Sequence, residues 1–189
     1  MFFIAYLPIF LYLLLEFYRS SPVKEEKRNR GSSFFIGVVL ALMVTIPEII
    51  YFFTINKINS LLFFGVIVGL IGVWIRFSSM KILGRFYSRN VGMQGEHKLI
   101  QDGLYKYIRH PGYLGSFLTF LGFAISSSSF IAIIINIILF FLAYSYRIKI
   151  EERILVTLFG DQYKQYQSKT WRIIPFLYLY ILTNLYISL

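Results

Sequence analysis

The residues best suited to chemistry lie in a short polar segment, GLYKYIRHPGYLG, at positions 103–115. Pro111 suits the first turn of a helix, where its missing N–H costs nothing, so His110 is predicted near the N-cap. The positive end of a helix and its first N–H groups attract anions. The segment therefore predicts an anion site. The alternative is that Arg109 and His110 only anchor a helix at lipid headgroups, with the tyrosines forming an aromatic belt.

A second polar segment, RIKIEERILVTLFGDQYKQY, begins at Arg147 and contains the adjacent acids Glu151 and Glu152. Such a pair is commonly solvated, or paired with a basic residue one turn away. The apolar sequence before it, residues 111–146, is long enough for two helices if it turns at Ser126–Ser129. A hairpin returns the chain to the face it left, so both acids are predicted to lie close to Arg109 and His110.

The composition indicates the elements that position these groups. Hydrophobic residues make up 57% of the 189 residues and charged residues 15%, and the mean hydropathy is +0.65. These values indicate an integral membrane protein. A membrane-spanning helix needs about 20 apolar residues, and residues 1–18, 33–55 and 59–80 each provide such a stretch. With the hairpin, the sequence predicts an all-α membrane protein with about five transmembrane helices.

A single membrane domain, 1–189, is the simplest organisation. Its predicted parts are three N-terminal spans in 1–80, the hairpin with its polar segments in 81–172, and an apolar tail in 173–189. The tail is only seventeen residues long and has Pro175 near its start, so a sixth span and an interfacial or re-entrant helix both remain open.

The positive charges predict the orientation of the helices. All of the 19 Lys and Arg residues except Lys57 lie in 19–32, 76–109 and 147–172. Because these residues concentrate in cytoplasmic loops, five crossings with an outside N-terminus are predicted, with the polar segments in the cytoplasm. The net charge of +10 then reflects topology and contact with anionic membrane lipids, and no nucleic-acid partner is expected.

Two features inside the predicted spans add detail. Gly65-x-x-x-Gly69 predicts close packing of helices, and Glu16 with Arg19 reads as an ion pair at the inner edge. The sequence has no cysteine and two histidines, His97 and His110. Disulfides, thiol nucleophiles and thiolate metal sites are therefore excluded, and no metal centre is expected.

The motifs together resemble the isoprenylcysteine carboxyl methyltransferase family and its phospholipid methyltransferase relatives. The resemblance covers about residues 80–172. The matching motifs are Arg109-His110-Pro111-x-Tyr113-x-Gly115, Glu151-Glu152, Phe159-Gly160-x-x-Tyr163-x-x-Tyr166, Leu83-Gly84-Arg85-x-x-Ser88 and Gly95-x-His97-x-Leu99-x-x-x-Gly103-x-Tyr105.

The resemblance implies a methyltransferase that uses S-adenosyl-L-methionine. It also implies that the cofactor lies in a cytoplasmic pocket within 81–172, and that a lipid-linked acceptor enters from the bilayer between helices. Carried over by position, the residues implied to line the cofactor site are His97, Leu99, Tyr105, His110, Pro111, Tyr113, Gly115 and Glu151 or Glu152.

The acceptor is less defined than the cofactor. A carboxylate is already ionised at pH 7 and needs only a cation to orient it, for which Arg109, Arg147 and Arg85 are candidates. An amine must first lose a proton, so His110 or a glutamate would act as base. The arginines favour a carboxylate over a phospholipid or other amine, and the family resemblance implies that this carboxylate is of the prenylcysteine type. An NADPH-dependent enzyme of the sterol reductase type and a non-enzymatic membrane adaptor or transporter subunit are the alternative classes.

Overall fold

The computed structural model describes residues 2–18, 30–84 and 99–175. Within these ranges the chain forms six α-helices, two short 3-10 helices and no strand. The α-helices are α1 (Tyr6–Tyr18), α2 (Arg30–Phe53), α3 (Asn59–Leu83), α4 (Pro111–Ser126), α5 (Phe130–Phe159) and α6 (Asp161–Lys169). The all-helical prediction is therefore confirmed.

Three of the helical segments are long and apolar enough to cross a membrane, namely Phe34–Phe53, Asn59–Leu83 and Phe130–Phe159. Two further apolar segments, Phe2–Tyr18 and Pro111–Ser126, are shorter. At about 1.5 Å per residue, α4 is only about 24 Å long, less than a typical hydrocarbon core of about 30 Å.

The predicted hairpin is formed by α4 and α5. The turn between them lies in the serine run, with Ser128 at a φ of 56°. Ser129 is the N-cap of α5, and its side chain accepts a hydrogen bond from the Ala132 N–H. Helix α5 does not end near 146 but continues to Phe159. The extension is expected because the sequence after residue 146 contains arginine, lysine, glutamate and leucine, which are among the residues that favour helix most.

Helices α3 and α4 run antiparallel and approach each other closely along their glycines. A Cβ on Gly122 would lie 2.4 Å from the Gly65 carbonyl oxygen and 2.5 Å from the Gly69 nitrogen. Neither backbone atom can move aside independently, so only a hydrogen fits at Gly122. The close packing predicted from Gly65-x-x-x-Gly69 is confirmed.

A buried asparagine joins three of the helices. Asn136 of α5 donates from its side-chain amide to the Met43 carbonyl of α2 at 3.1 Å and to the Phe120 carbonyl of α4 at 2.9 Å. Because unpaired backbone groups are costly in an apolar interior, these bonds favour one arrangement of the helices. They hold α5 against α2 and against the middle of α4.

Candidate functional site

The beginning of α4 has the predicted cap. His110 is the N-cap residue and Pro111 occupies the first turn. The His110 carbonyl accepts hydrogen bonds from the N–H groups of Tyr113 at 3.0 Å and Leu114 at 3.2 Å. Its imidazole makes no capping bond and instead lies against the acids of α5.

Backbone hydrogen bonds fix this helix start against the segment after α6. The Arg109 N–H donates to the Trp171 carbonyl at 2.7 Å, and the His110 N–H donates to the Arg172 carbonyl at 3.1 Å. In return, the Trp171 N–H donates to the Tyr107 carbonyl at 2.9 Å. Two parts of the chain that are distant in sequence thus form one rigid edge of the site.

Glu152 is the centre of a buried ionic cluster. The residue is 5% exposed. Its Oε1 accepts from Arg109 Nε at 3.0 Å and lies 3.2 Å from His110 Nε2. Arg172 donates through Nε to Oε1 at 3.3 Å and through Nη2 to Oε2. The prediction that the hairpin brings the acids to Arg109 and His110 is confirmed.

Arg109 has further partners on the α6 side of the cluster. Its Nη1 donates to the Gln167 carbonyl at 2.8 Å and to the Thr170 carbonyl. With Nε on Glu152, the guanidinium links α5 to the end of α6. These contacts give Arg109 a positioning function in the described structure.

Glu151 belongs to a second and more open set of contacts. The Tyr113 hydroxyl donates to Glu151 Oε2 at 2.7 Å and accepts from Arg147 Nε at 3.0 Å. His110 Nδ1 lies 3.8 Å from the same Glu151 oxygen, and the Glu151 side chain is 29% exposed. The His110 and Tyr113 rings are stacked with their centroids 5.4 Å apart. His110 therefore contacts both acids, one through each ring nitrogen.

The other predicted site residues are less closely grouped. Tyr105 is buried, and its carbonyl accepts the Tyr166 hydroxyl at 2.6 Å; Leu99 is half-buried. Gly115 faces α3, where a Cβ would lie 2.6 Å from the Arg76 nitrogen, so it serves helix packing. Pro111 is fully buried at the helix start. Arg85 and His97 lie outside the described residues.

Two tyrosines of α6 complete the surroundings of Glu152. The Tyr163 side chain is 1% exposed, and its hydroxyl has no hydrogen-bond partner among the described residues. Burial and the nearby carboxylate of Glu152 raise the pKa of Tyr163 well above its usual range. Burial also raises the pKa of Tyr166, to about 12. Both hydroxyls are therefore neutral at physiological pH.

Sequence reasoning missed two arginines. Arg172 binds Glu152, although it lies twenty positions later and outside every recognised motif. Arg76 was counted with the cytoplasmic loop, but it lies inside α3 and is 7% exposed. The available signal for Arg76 was its position within an apolar run, since an ionisable residue in a span is a functional candidate. No set of three or more potential metal ligands occurs in the described ranges.

Comparison with known proteins points to one type of membrane enzyme. The model of the isoprenylcysteine carboxyl methyltransferase family matches residues 64–157. The protein-S-isoprenylcysteine O-methyltransferase of Schizosaccharomyces pombe is 36% identical over 107 residues, which are 56% of this chain and 45% of that protein. The protein of the same name in Saccharomyces cerevisiae is 27% identical over 184 residues, 88% of this chain and 76% of that protein.

A solved structure has the same fold. It is that of a eukaryotic intramembrane Ras methyltransferase, with a TM-score of 0.68 and 22% sequence identity. The alignment covers 92% of this chain and 62% of that chain. This chain thus spans less than half the length of the Schizosaccharomyces pombe relative and about three quarters of the Saccharomyces cerevisiae one.

Proposed function

The chain belongs to the isoprenylcysteine carboxyl methyltransferase family, and we propose that it transfers a methyl group to the carboxylate of a prenylcysteine-type lipid, forming a methyl ester. The resemblance predicted from the sequence motifs is confirmed by the family match. The observation that carries the proposal is the arrangement of Glu151, Tyr113 and Arg147 at the start of α4, where one accessible acid is oriented by a tyrosine and an arginine.

The methyl donor implied by this activity is S-adenosyl-L-methionine, and the residues present fit it. The donor carries an ammonium group, a carboxylate, an adenine ring and a sulfonium. A site that binds it needs an available carboxylate for the ammonium group, an anion-attracting helix end for the carboxylate and an aromatic ring for the sulfonium. The buried Tyr163 hydroxyl without a partner among the described residues is a further polar group available to a ligand.

The two glutamates are assigned different roles. Glu152 is almost completely buried and has Arg109, His110 and Arg172 as partners. Glu151 is more exposed and accepts one hydrogen bond from Tyr113. We therefore assign Glu151 to the cofactor's ammonium group and Glu152 to the maintenance of the site.

The remaining assignments follow from chemical type. The positive start of α4 with His110 suits the cofactor's carboxylate, and the Tyr113 ring suits the sulfonium. Leu99 and Tyr105 are assigned to the adenine, and His97 remains a predicted member of the site. These residues are the ones that the family resemblance implies for the cofactor site.

Methyl transfer requires little acid–base catalysis by these side chains. When bound, S-adenosyl-L-methionine supplies a methyl group activated by a sulfonium leaving group. The acceptor carboxylate is ionised at pH 7, so the chain needs to orient it and exclude water rather than remove a proton. Of the three predicted acceptor arginines, Arg109 contacts Glu152 and backbone carbonyls and Arg147 contacts Tyr113. Arg85 lies outside the described residues and remains a predicted candidate.

The proposed architecture is a single membrane domain of five transmembrane helices with an outside N-terminus. The three long apolar segments and the two shorter ones account for the five, and the distribution of Lys and Arg supports a cytoplasmic site facing anionic lipids. The division at 80 and 172 remains a prediction. So does the sixth span or interfacial helix of the tail, because residues 176–189 lie outside the described ranges.

Ligand-dependent thermal unfolding of the detergent-purified protein tests the proposal. S-adenosylhomocysteine at about 100 times its dissociation constant should stabilise the folded state by about 2.7 kcal/mol. NADPH should have no effect. Glu151→Gln should abolish the stabilisation, whereas the matched control Asp161→Asn, on the exposed surface of α6, should retain it.

Transfer of radiolabelled methyl groups then identifies the acceptor. We expect labelling of a farnesylcysteine analogue that has a free carboxylate and no labelling of its amide. Labelling of amine lipids alone would replace the proposal with an N-methyltransferase. Stabilisation by NADPH alone would replace it with a reductase, and a response to neither ligand would favour a non-enzymatic adaptor.

A further inference from the structure

A second ionic pair lies deep between the helices, apart from the cluster around Glu152. Arg76 of α3 donates to Glu16 Oε1 of α1 through Nε at 3.0 Å and through Nη2 at 2.6 Å. The two side chains are 8% and 16% exposed. Charged residues within membrane helices are costly and usually functional. A buried ion pair is also a poor means of stabilisation, because apolar residues of similar volume often stabilise as well.

The Arg76–Glu16 pair lies at a depth along the helices that suits the head group of a lipid. Arg76 precedes the end of α3 at Leu83 by seven residues, about 10 Å along the helix. Glu16 lies two residues before the end of α1. Helix α3 ends on the side where α4 begins because these two helices are antiparallel. Helix α1 ends on the same side because it packs parallel to α3, with Pro8 beside Gly69 and Glu16 beside Arg76. A polar group attached to an apolar chain would reach this depth while its chain stays in the hydrocarbon region.

The guanidinium of Arg76 lies directly against the first turn of α4. A Cβ on Gly112 would be 3.1 Å from Arg76 Nη1, so a residue larger than glycine would require the guanidinium to shift by a few tenths of an ångström. Gly112 comes between His110 and Tyr113, two residues of the proposed cofactor site. The pair and the cofactor site therefore lie on different sides of the same helical turn.

Further polar contacts join α1 to this turn. The Tyr12 hydroxyl lies 3.1 Å from Ser116 Oγ, one turn after Gly112, and the Arg76 guanidinium lies 5.7 Å from the centroid of the Tyr12 ring. The outer surface of α1 is apolar and exposed, with Leu13 at 57% and Phe17 at 80%. A lipid chain can lie on that surface while its head contacts Arg76.

We propose that Arg76 binds the carboxylate of the methyl acceptor and that Glu16 occupies the same position when no acceptor is bound. This inference rests on the proposed function. A guanidinium presents its donors in a fork that matches a carboxylate, and Glu16 is a carboxylate already bound there. An incoming acid can replace it one for one. The released Glu16 is close enough to the end of α1 for its side chain to extend to the polar boundary.

The pair also selects the chemical class of the acceptor. A lipid carboxylate gains a cation when it displaces Glu16, whereas a lipid amine would face Arg76 as a like charge. An amine would then be rejected because Arg76 repels its positive charge as well as because it lacks the attraction that a carboxylate has for Arg76. Arg76 is thus an acceptor-binding and specificity-determining residue that none of the family motifs quoted above contains.

Steady-state kinetics of two single variants test the proposal. Arg76→Lys keeps the charge but loses the fork, so the KM for farnesylcysteine should rise about tenfold or more. Glu16→Gln removes the competing charge, so the same KM should fall. The affinity for S-adenosylhomocysteine should change less than about twofold in both variants, because neither residue is assigned to the cofactor.

A structural ion pair predicts a different pattern. If the pair only joins α1 to α3, both variants should lower the melting temperature and kcat together and leave the KM unchanged. That result, or a higher KM for Glu16→Gln, would overturn the inference. Competition binding of farnesylcysteine and its amide to Arg76→Gln provides a second measurement: the tighter binding of the acid should be lost, and retention of that preference would also overturn the inference.

Measurements on the wild-type protein distinguish failure of the proposed function from failure of the roles assigned to Arg76 and Glu16. If it neither binds S-adenosylhomocysteine nor methylates farnesylcysteine, the proposed function fails. If it does both and its KM is insensitive to Arg76 and Glu16, only the assignment of these two residues fails.

Discussion

Arg172 donates to both carboxylate oxygens of Glu152, and this ion pair joins the segment after α6 to α5. Arg109 and His110 approach the same carboxylate from the start of α4. Three separate parts of the chain therefore meet at one buried acid. The positions of His110 and Tyr113 depend on that acid, although it is not the one assigned to the cofactor.

Neutralising Glu152 should destabilise the protein even without a ligand. Glu152→Gln removes the buried carboxylate that pairs with Arg109 and Arg172, and breaking a buried ion pair typically costs about 3–5 kcal/mol. Equilibrium unfolding in detergent micelles measures this loss. Glu151→Gln is the matched control, because its side chain is more exposed, and it should cost about 1–2 kcal/mol. Equal losses would contradict the separation of roles between the two acids.

Removal of the Tyr113 hydroxyl should weaken cofactor binding. Tyr113→Phe retains the ring that stacks on His110 but leaves Glu151 and Arg147 without their shared partner. We expect the affinity for S-adenosylhomocysteine to fall about tenfold, equivalent to about 1.4 kcal/mol, as measured by titration calorimetry. Tyr146→Phe, on the exposed side of α5, is the control. An unchanged affinity would show that Tyr113 does not orient Glu151 for binding of the cofactor.

A methyl group at the contact between α3 and α4 should separate the two helices. Gly122→Ala would place a Cβ within 2.5 Å of backbone atoms of α3, and overpacking of this kind typically costs about 1–3 kcal/mol or more. The melting temperature should fall accordingly. Gly37→Ala on α2, where nothing lies within 4 Å of the added atom, should be neutral or slightly stabilising. Similar melting temperatures for both variants would contradict the close packing.

Alkaline pH should destabilise the contact of α6 with the 3-10 helix at Tyr105. Burial raises the pKa of Tyr166 to about 12, compared with about 10 for an exposed tyrosine. Folding thus favours the neutral hydroxyl, so its contribution is complete below about pH 10 and is lost as the pH approaches about 12. The free energy of unfolding of the wild type should fall more steeply across this range than that of Tyr166→Phe. Identical slopes would show that Tyr166 titrates normally.

Local signals were sufficient to predict the hairpin and its consequence. Pro111 marked the start of α4, the serine run marked the turn, and the return of the chain placed Glu151 and Glu152 beside His110. These predictions succeeded because each depends on a short stretch of sequence and on one topological rule. The end of α5 was predicted too early, because a change from apolar to charged residues marks the membrane boundary rather than the end of a helix.

Long-range partners that are not brought together by the hairpin could not be predicted. Arg76 and Glu16 are 60 positions apart, and their meeting depends on the parallel packing of α1 and α3. Arg172 forms an ion pair with Glu152 because of the path that the chain takes after α6. Arginine near a membrane boundary is common for topological reasons, so residue type alone does not distinguish those that form buried ion pairs.

The backbone hydrogen bonds that join Trp171 to Tyr107 and Arg109 have a consequence for biosynthesis. Trp171 is synthesised after every residue of α1–α6, so the start of α4 obtains this backbone partner only when the chain has been made beyond α6. A nascent chain that ends before Trp171 would contain every described apolar helix but lack the strand-like contact that fixes the start of α4. The described apolar helices are therefore complete in the growing chain before the start of α4 can be fixed against Trp171.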